Sequence, residues 1–563
     1  MTTVDNIDIL SAGAAPLIAA YCREIKLDQI VNDMLRWDEE QWSITPGDLM
    51  ITMIVSLLVS HAPLYRIKDF YENRDLDLLF GEGKVTLDAL HDRHYGSLLD
   101  RMFEANPNHV YQSLTGSAII THQIDLGDLH GDTSSQSVHG AYEGDGELNI
   151  TFGHSKDHRP DLKQFLYGLV IAEGVPVLGN ISDGNTSDKT WNKDIIEEMA
   201  KVLAPKIGKG ILYVADSALV TATNLDLMEK NNIKFITRLP ENYGLASNLK
   251  EKAHEASDWI ELGKLSDKKD AASYKIKGLT SELEGRNYHF VVVHSTALAE
   301  AKKKTLERRV VKENEKLTKA CATLHKKEFA CEPDARAELN AFLEKHAKSF
   351  HYINGDVVPV ERIKPRDKKG RRPKNEIPEV ETIWRIICTV GEINKEKLEA
   401  QLCLEEKFVL MTNELDSEKL KDTDVLKKYK EQISVETKFR WLKNPTVIEG
   451  IWLKDPNRVM ALGYVFLIGL LVYCLLERRI RKNLSQETKP IRLPGNRLTK
   501  KPTAASFLLL FTDIVVVKVL LPDNTVRWQL PKRFESKEFL RALSLAGFDS
   551  SIYTTPPVGN NVL

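Results

Sequence analysis

Cysteine is sparse in this chain, and what is missing around each one excludes several classes of protein. The 563 residues hold six: Cys22, Cys321, Cys331, Cys388, Cys403 and Cys474. None forms a Cys-x-x-Cys pair and none has histidines at zinc-site spacing, so neither a zinc module nor a disulfide framework is indicated. Scattered thiols of this kind predict a reduced, cytoplasmic setting. An excess of charge of either sign is also missing. The 78 Lys and Arg against 80 Asp and Glu leave a net charge of −2, which excludes a protein that coats nucleic acid by bulk charge but leaves local basic faces open. Residues 1–10 lack the basic-then-apolar order of a secretion signal, and the chain has no internal repeat or long low-complexity tract.

Long apolar runs are lacking too, with one exception. Val459–Leu476 reaches the lower limit for a membrane span, flanked by Arg458 and by Arg478, Arg479 and Arg481. The two readings are a membrane span and a helix buried on all sides of a large core. As the only such run in a chain otherwise of soluble character, it is expected to be the buried helix, with no membrane partner.

What is present falls into stretches of different period. Residues 1–118 read as a helical domain, possible home of a helix-turn-helix or simply a packing domain. Within it Thr45-Pro46 marks a helix start, threonine as N-cap and proline at the first position, for an apolar helix over Leu49–Leu58. From 119 to 240 strand patterns appear at Ile124–Asp132, Leu148–Phe152, Gln164–Ile171 and Pro176–Asn180. A helix over 190–203, a strand over 210–215, a helix over 223–230 and a strand over 234–238 follow. Strands first, then helix and strand alternating, predict an α/β sheet with an antiparallel start. Residues 241–380 break that rhythm with strands at Trp259–Leu265 and Tyr288–Val293 and a helical hairpin over 298–346, an α+β insertion. Strands return at Thr382–Thr389 and Lys407–Thr412, in a stretch 381–482 assigned to the second part of the core. Residues 483–563 form a C-terminal segment with a hairpin around Asp523-Asn524. The stretch Lys364–Lys374 carries seven Lys or Arg and reads either as a solvated linker or as a DNA-backbone contact.

Three carboxylates stand out. Asp132, in Leu129-His130-Gly131-Asp132-Thr133-Ser134, and Asp216, in Leu212-Tyr213-Val214-Ala215-Asp216-Ser217, are both placed at strand ends, where α/β sheets put their ligands. Each alone reads more readily as a helix cap; together, on neighbouring strands, they can share a hard cation such as Mg²⁺. The third lies in a helix expected from Asp424 to Lys443. At ~100° per residue, Tyr429, Gln432, Glu436 and Lys443 fall within an arc of about 60°, with Arg440 beside them and Glu431 pointing elsewhere. A carboxylate flanked by a phenol, an amide and two cations suits a site that binds metal and grips phosphates, although a solvated face with paired charges has the same pattern. Asp183 and Asp188 read as capping or supporting residues, and Trp259 as a strand residue or a base-stacking one.

At these residues the chain resembles a known family, the bacterial and archaeal insertion-sequence transposases of the DDE superfamily, and within it the IS-four group. That group's glutamate lies in a pattern of Tyr, two residues, Arg, three residues, Glu, six residues, Lys; this chain has Tyr429, Gln432, Glu436 and Lys443 at that spacing. Asp132-Thr133-Ser134, His154-Ser155-Lys156-Asp157-His158-Arg159-Pro160-Asp161 and Val214-Ala215-Asp216-Ser217-Ala218 match as well. Gln432 departs from the pattern's arginine and lacks its charge.

The resemblance implies an RNase H-like mixed sheet flanked by helices and interrupted by the insertion, with Asp132, Asp216 and Glu436 as catalytic metal ligands. It further implies two Mg²⁺ ions, replaceable by Mn²⁺, and cleavage and strand transfer on double-stranded DNA at the terminal repeats and target of a mobile element. Tyr429, Gln432, Arg440, Lys443, Lys156 and Arg159 are the DNA contacts it implies, and a homodimer pairs the two element ends. The alternatives are a transposase-derived binding protein without catalysis and a metal-dependent nuclease of the same fold. A serine recombinase through Ser134, Ser135 or Ser217 lacks an activating base.

Overall fold

The computed structural model describes residues 6–60, 63–143, 146–203, 210–266, 268, 270–364, 377–444, 451 and 453–557. The chain is mixed α/β and divides into two compact units, one made of Met1–Thr237 with Lys428–Leu563, the other of Arg238–Lys427.

The first unit is built on strands in the order Val175–Ser182, Lys163–Ala172, Asp128–Val138, Leu212–Val214 and Lys234–Arg238. The first three are antiparallel neighbours, whereas Asp128–Val138, Leu212–Val214 and Lys234–Arg238 run parallel. This is the antiparallel start and α/β continuation expected from the sequence. Two expectations change. Asp132 does not end its strand, which continues to Val138 because Thr133–Val138 pair with Lys163–Gly168. Leu148–Phe152 contributes only an isolated bridge from Thr151 to Gln164.

One face of this sheet is covered by the apolar run, now a helix over Pro456–Gln486. Its residues Ala461–Glu477 are buried without interruption, against the strand Val175–Ser182 and the helices Pro46–Val59, Asp92–Glu104 and Pro107–His122. The helix is long and apolar enough to cross a membrane. In this fold each buried Leu, Ile, Val or Phe instead adds about 1.5–3 kcal/mol to the core. The arginines that flank the run are all paired inside the unit: Arg458 with Asp100 at 2.6 Å, Arg478 with Glu173, Arg479 with Glu24 at 2.6 Å and Arg481 with Glu477 at 2.9 Å.

The helix Pro46–Val59 starts as its sequence dictates, the Thr45 hydroxyl accepting from the Asp48 amide at 3.1 Å. Nearly every residue of it is buried, so it presents no free face to a DNA groove. The N-terminal stretch is not wholly helical. Asn6–Ser11 is a strand, paired antiparallel with Val515–Leu520, which pairs in turn with Val526–Gln529. That second pairing is the hairpin expected around Asp523-Asn524. Residues 1–118 and 483–563 therefore belong to the same compact unit as the sheet.

The second unit has an antiparallel sheet ordered Lys407–Thr412, Arg286–Ser295, Ser273–Leu283, Ile260–Lys264. A separate one is ordered Glu328–Phe329, Val380–Ile393, His351–Ile363. The helices Thr296–Leu324 and Glu332–Lys345 pack on the latter through Cys321, Leu324, Ala335, Leu339, Val357, Ile386 and Cys388. The unit starts where the sequence puts the insertion but ends at Lys427 rather than 380. Val380–Ile393 pairs with His351–Ile363 and Lys407–Thr412 pairs with Arg286–Ser295, strands of this unit.

The chain re-enters the first unit at Lys428. The expected helix over 424–443 is two helices, Asp422–Glu431 and Ile433–Leu442. At the joint, the Gln432 amide bonds to the Tyr429 carbonyl and the Val435 amide to the Gln432 carbonyl, a three-residue spacing that tightens the turn. The second helix is fastened to the long apolar helix by a buried ion pair, Lys438 Nζ to Glu477 Oε1 at 3.3 Å. Glu477 also accepts the Ala504 amide at 3.1 Å. Removing one member of such a pair strands the other in a dry interior. We expect Glu477→Leu to cost about 3–5 kcal/mol in urea unfolding followed by circular dichroism, and Lys438→Met with Glu477→Leu to recover more than half of it. A loss below about 1 kcal/mol in the single variant refutes this assignment.

Candidate active site

The parallel pairing of Asp128–His130 with Leu212–Val214 sets Asp128 opposite Leu212 and His130 opposite Val214. Carried two residues further, the same register puts Asp132 level with Asp216. Strands in a sheet are about 4.8 Å apart, and residues at matching positions face the same side. The two carboxylates therefore project together from the ends of the paired segments. Leu129 and Gly131 face the other side, where Tyr213 crosses beneath: a Cβ on Gly131 would lie 2.1 Å from the Tyr213 hydroxyl, so only glycine fits. That hydroxyl donates to Asn192 Oδ1 at 3.1 Å.

Each aspartate is held by a backbone amide. Asp132 Oδ1 accepts from the Thr133 N–H at 2.7 Å, and Asp216 Oδ1 caps the short turn Ser217–Leu219 by accepting from the Ala218 N–H at 3.0 Å. The Asp216 carbonyl accepts from the Thr237 hydroxyl at 2.6 Å. Burial pushes the Asp132 carboxyl up to about 6; Lys156 and the Thr133 amide pull it down, and Asp216 and Asp188 push it further up. Asp216 is raised as well, chiefly by burial, with Asp188 adding to the rise and the Ala218 amide and Lys156 opposing it. Asp132 thus feels the charge of Asp216, and both feel a third carboxylate, read above only as a capping or supporting residue.

That third group is Asp188, the first residue of the helix Asp188–Glu198. It accepts a hydrogen bond from the Thr133 hydroxyl. Lys156 lies among these groups. Its ammonium is 3.6 Å from Asp132 Oδ1 and 3.4 Å from Asp188 Oδ1, and donates at 2.8 Å to both the carbonyl and the hydroxyl oxygen of Thr133. The sequence signal for Asp188 was weak, because a helix-opening aspartate is an ordinary cap. Only the fold carries it to the strand of Asp132.

The helices entering from Lys428 follow the Asp132 strand residue by residue. Lys428 pairs with Asp128, Glu431 Oε2 lies 3.9 Å from His130 Nε2, and the Gln432 amide donates to the Gly131 carbonyl at 3.4 Å. Burial pushes the His130 imidazole down to about 4, Asp128 opposing and Lys428 reinforcing that shift. Glu436, exposed in the first turn of Ile433–Leu442, shares with Asp132 an open cavity of about 640 Å³. Thr133, Ser134, Lys156, Phe439, Arg440, Lys443 and Asn444 complete its lining.

The expected residues therefore separate. Asp132, Glu436, Arg440, Lys443 and Lys156 line one cavity. Asp216 does not line it but follows, two residues on, the strand Leu212–Val214 that pairs with the Asp132 strand. Among the described residues, no three carboxylate, histidine or cysteine side chains are gathered tightly enough to hold a metal ion as they stand. Gln432 is engaged by the strand backbone, and Tyr429 is half-buried and not part of the lining. Lys443 is paired with Asp157 at 2.7 Å, and Arg159 grips Asp161 in two bonds of 2.8 and 2.7 Å. Asp183 braces a loop through the Asn149 amide at 2.9 Å, and half-buried Trp259 donates to the Ala253 carbonyl at 2.9 Å. Of the basic stretch, Lys364 pairs with Glu379 at 3.4 Å; residues 365–374 lie outside the described residues.

Carboxylate oxygens are the donors a hard divalent cation takes, and here a lysine ammonium lies within 3.6 Å of two of them, Asp132 and Asp188.

Comparison with known proteins gives two family matches. Residues 3–116 match a model described as a domain of unknown function (DUF4277), and residues 169–465 match the transposase DDE domain. No curated protein matches the chain. Among solved structures, the cryo-EM structure of the piggyBac transposase synaptic complex with hairpin DNA is similar over 50% of this chain and 60% of its own. The identity is 8% and the TM-score 0.27. This chain thus spans three fifths of that protein's chain, and so distant a likeness bears no weight here. The DDE match begins after Asp132 and takes in Asp216, Glu436 and the start of the long apolar helix, as far as residue 465; it covers more than half of the 563 residues, and the chain belongs to the transposase DDE-domain family.

Proposed function

We propose that this protein is an active insertion-sequence transposase of the IS-four type, cutting and rejoining DNA at Asp132, Asp216 and Glu436. The observation that carries the reading is the parallel pairing of Asp128–His130 with Leu212–Val214, which carried two residues further sets Asp132 beside Asp216, together with a cavity that Asp132 and Glu436 both line. A mixed sheet whose first aspartate stands mid-strand and whose second follows a parallel neighbour suits an RNase H-like core, with residues 238–427 as its insertion.

Two Mg²⁺ ions, or Mn²⁺ in their place, held by the three carboxylates would supply a polarised oxygen nucleophile and charge for the leaving oxygen. The chain's own residues do the rest. The Thr133 and Ala218 amides fix one oxygen each of Asp132 and Asp216 and leave the other oxygen of each for a cation. Burial holds both carboxyls in a state where an arriving cation gains more than it would in water. Gln432 and the Lys438–Glu477 pair fix the Glu436 helix from two sides. Arg440 and Lys443, three residues apart, offer positive charge along the cavity for phosphates on either side of the scissile bond. Lys443 must leave Asp157 to do so, and Arg159 must leave Asp161. The partners on this reading are double-stranded DNA, as element ends and as target, and a second copy of the chain in the complex that pairs the ends, in a prokaryotic cytoplasm.

Single substitutions Asp132→Asn, Asp216→Asn and Glu436→Gln are expected to lower Mg²⁺-dependent cleavage of DNA flanking the gene by about 10³-fold or more while DNA binding persists. Undiminished cleavage in any of the three removes that residue from the site. Supplied with pre-cut ends bearing a free 3′-hydroxyl, the wild-type protein is expected to give joined products. Hydrolysis alone would identify a nuclease instead. Arg440→Ala and Lys443→Ala should each reduce the slope of log binding constant against log salt by about 0.9, and an unchanged slope denies the phosphate contact.

A further inference from the structure

Lys156 is held more firmly than a phosphate-seeking surface lysine needs to be. Its backbone amide donates to Ser135 Oγ at 2.9 Å, anchoring the loop to the Asp132 strand. Its ammonium makes two hydrogen bonds to Thr133 and lies within 3.6 Å of carboxylates from two separate elements. Thr133 serves both partners, its hydroxyl accepting from Lys156 and donating to Asp188. The result is a closed set of Asp132, Thr133, Asp188 and Lys156, in which a single positive charge faces Asp132, Asp188 and, through the field, Asp216.

We infer that Lys156 is a built-in counter-cation of the catalytic cluster, parked there by Asp188, and that it competes with the divalent ion for the charge of Asp132. The inference rests on the reading of Asp132 as a metal ligand and deepens it by assigning the regulation of metal loading to this chain's own residues. The physical ground is exclusion. Three carboxylates within one another's field repel, and an ammonium at 3.4–3.6 Å relieves that repulsion whenever no other cation is present. A divalent ion on Asp132 brings two further positive charges to the same place, so the ammonium is driven out toward the cavity that it already lines. Freed there, it adds a positive charge beside Arg440 and Lys443, on the side from which a phosphate approaches. Metal entry and phosphate capture are coupled in this way through one side chain. Asp188 is on this account a positioning residue, acting through Lys156 and Thr133.

The test is Mn²⁺ binding to the full chain without DNA, measured by calorimetry and by electron paramagnetic resonance of the free ion. Variants Lys156→Met, Lys156→Arg, Asp188→Asn and Asp132→Asn are compared after circular dichroism has established that each folds. Lys156→Met is expected to bind Mn²⁺ at least about fivefold more tightly than wild type, the lower end of ordinary coupling between sites. Lys156→Arg, which keeps the charge, is expected to restore wild-type affinity. Asp188→Asn is expected to bring Lys156 closer to Asp132 and weaken Mn²⁺ binding, an effect that should vanish when Lys156→Met is added. Affinity in Lys156→Met equal to or below wild type, with Asp132→Asn still abolishing binding, overturns the counter-cation and leaves the proposed metal site standing. Binding that is indifferent to Asp132→Asn overturns the metal site, and the inference falls with it.

Discussion

The short parallel pairing between Asp128–His130 and Leu212–Val214 is the constraint on which the site depends. A one-residue slip would turn one of the two aspartates to the opposite face of the sheet, because side chains alternate with a period of two. Only three residue pairs specify that register, so it is pinned from elsewhere. On one side, Asp128–Val138 makes a long antiparallel pairing with Lys163–Ala172. On the other, Leu212–Val214 pairs with Lys234–Ile236. Beneath, Tyr213 fits against Gly131 so closely that no side chain could stand there. The aspartates are set by main-chain geometry that three neighbours overdetermine.

The third carboxylate is set by different means. Glu436 stands on a helix fixed to the sheet by Gln432 and to the apolar helix by Lys438 and Glu477. One attachment is a single hydrogen bond to a carbonyl, the other a buried ion pair in which Glu477 also meets Arg481 and the Ala504 amide. Buried charges of this kind contribute little net stability against an apolar replacement, but they tolerate few alternative arrangements. A helix that must hold a carboxylate in place gains more from that selectivity than from a greasier contact. The rigid backing is the helix Pro456–Gln486, whose burial joins the strands, the N-terminal helices and the Glu436 helix into one core.

Local chemistry was legible in the sequence and long-range pairing was not. Thr45-Pro46 announced its helix because a cap and a proline act within four residues. The apolar run Val459–Leu476 announced a buried helix, and three of the four arginines that flank it are paired with acids far away in the chain. By contrast Thr133-Ser134-Ser135-Gln136-Ser137 has the composition of a loop and becomes strand through its partner at Gln164–Gly168. Asn6–Ser11 is a strand because of residues 515–520. Val380–Ile393 was assigned to the wrong unit because nothing in it names His351–Ile363 as its partner. At the site, helical periodicity placed Glu436, Arg440 and Lys443 on one cavity. It misplaced Gln432, since the tightened turn there aims that side chain at Gly131. Asp188 was hidden because its company is formed by the fold alone.

The pairing of Asn6–Ser11 with Val515–Leu520 also orders events in time. Tyr21 donates to the Ala546 carbonyl at 2.7 Å and Tyr553 to the Gly13 carbonyl at 2.8 Å, so the first helix of the chain is completed by some of its last residues. Residues 238–427, contiguous and compact, can close while the ribosome is still at work. The unit that carries Asp132, Asp216 and Glu436 must wait until residues 546 and 553 have been made, because Tyr21 and Gly13 bond to them. Until then its apolar surfaces stand open to chaperones and proteases. A copy stopped before residue 546 lacks the carbonyl that holds Tyr21 and the tyrosine that reaches Gly13.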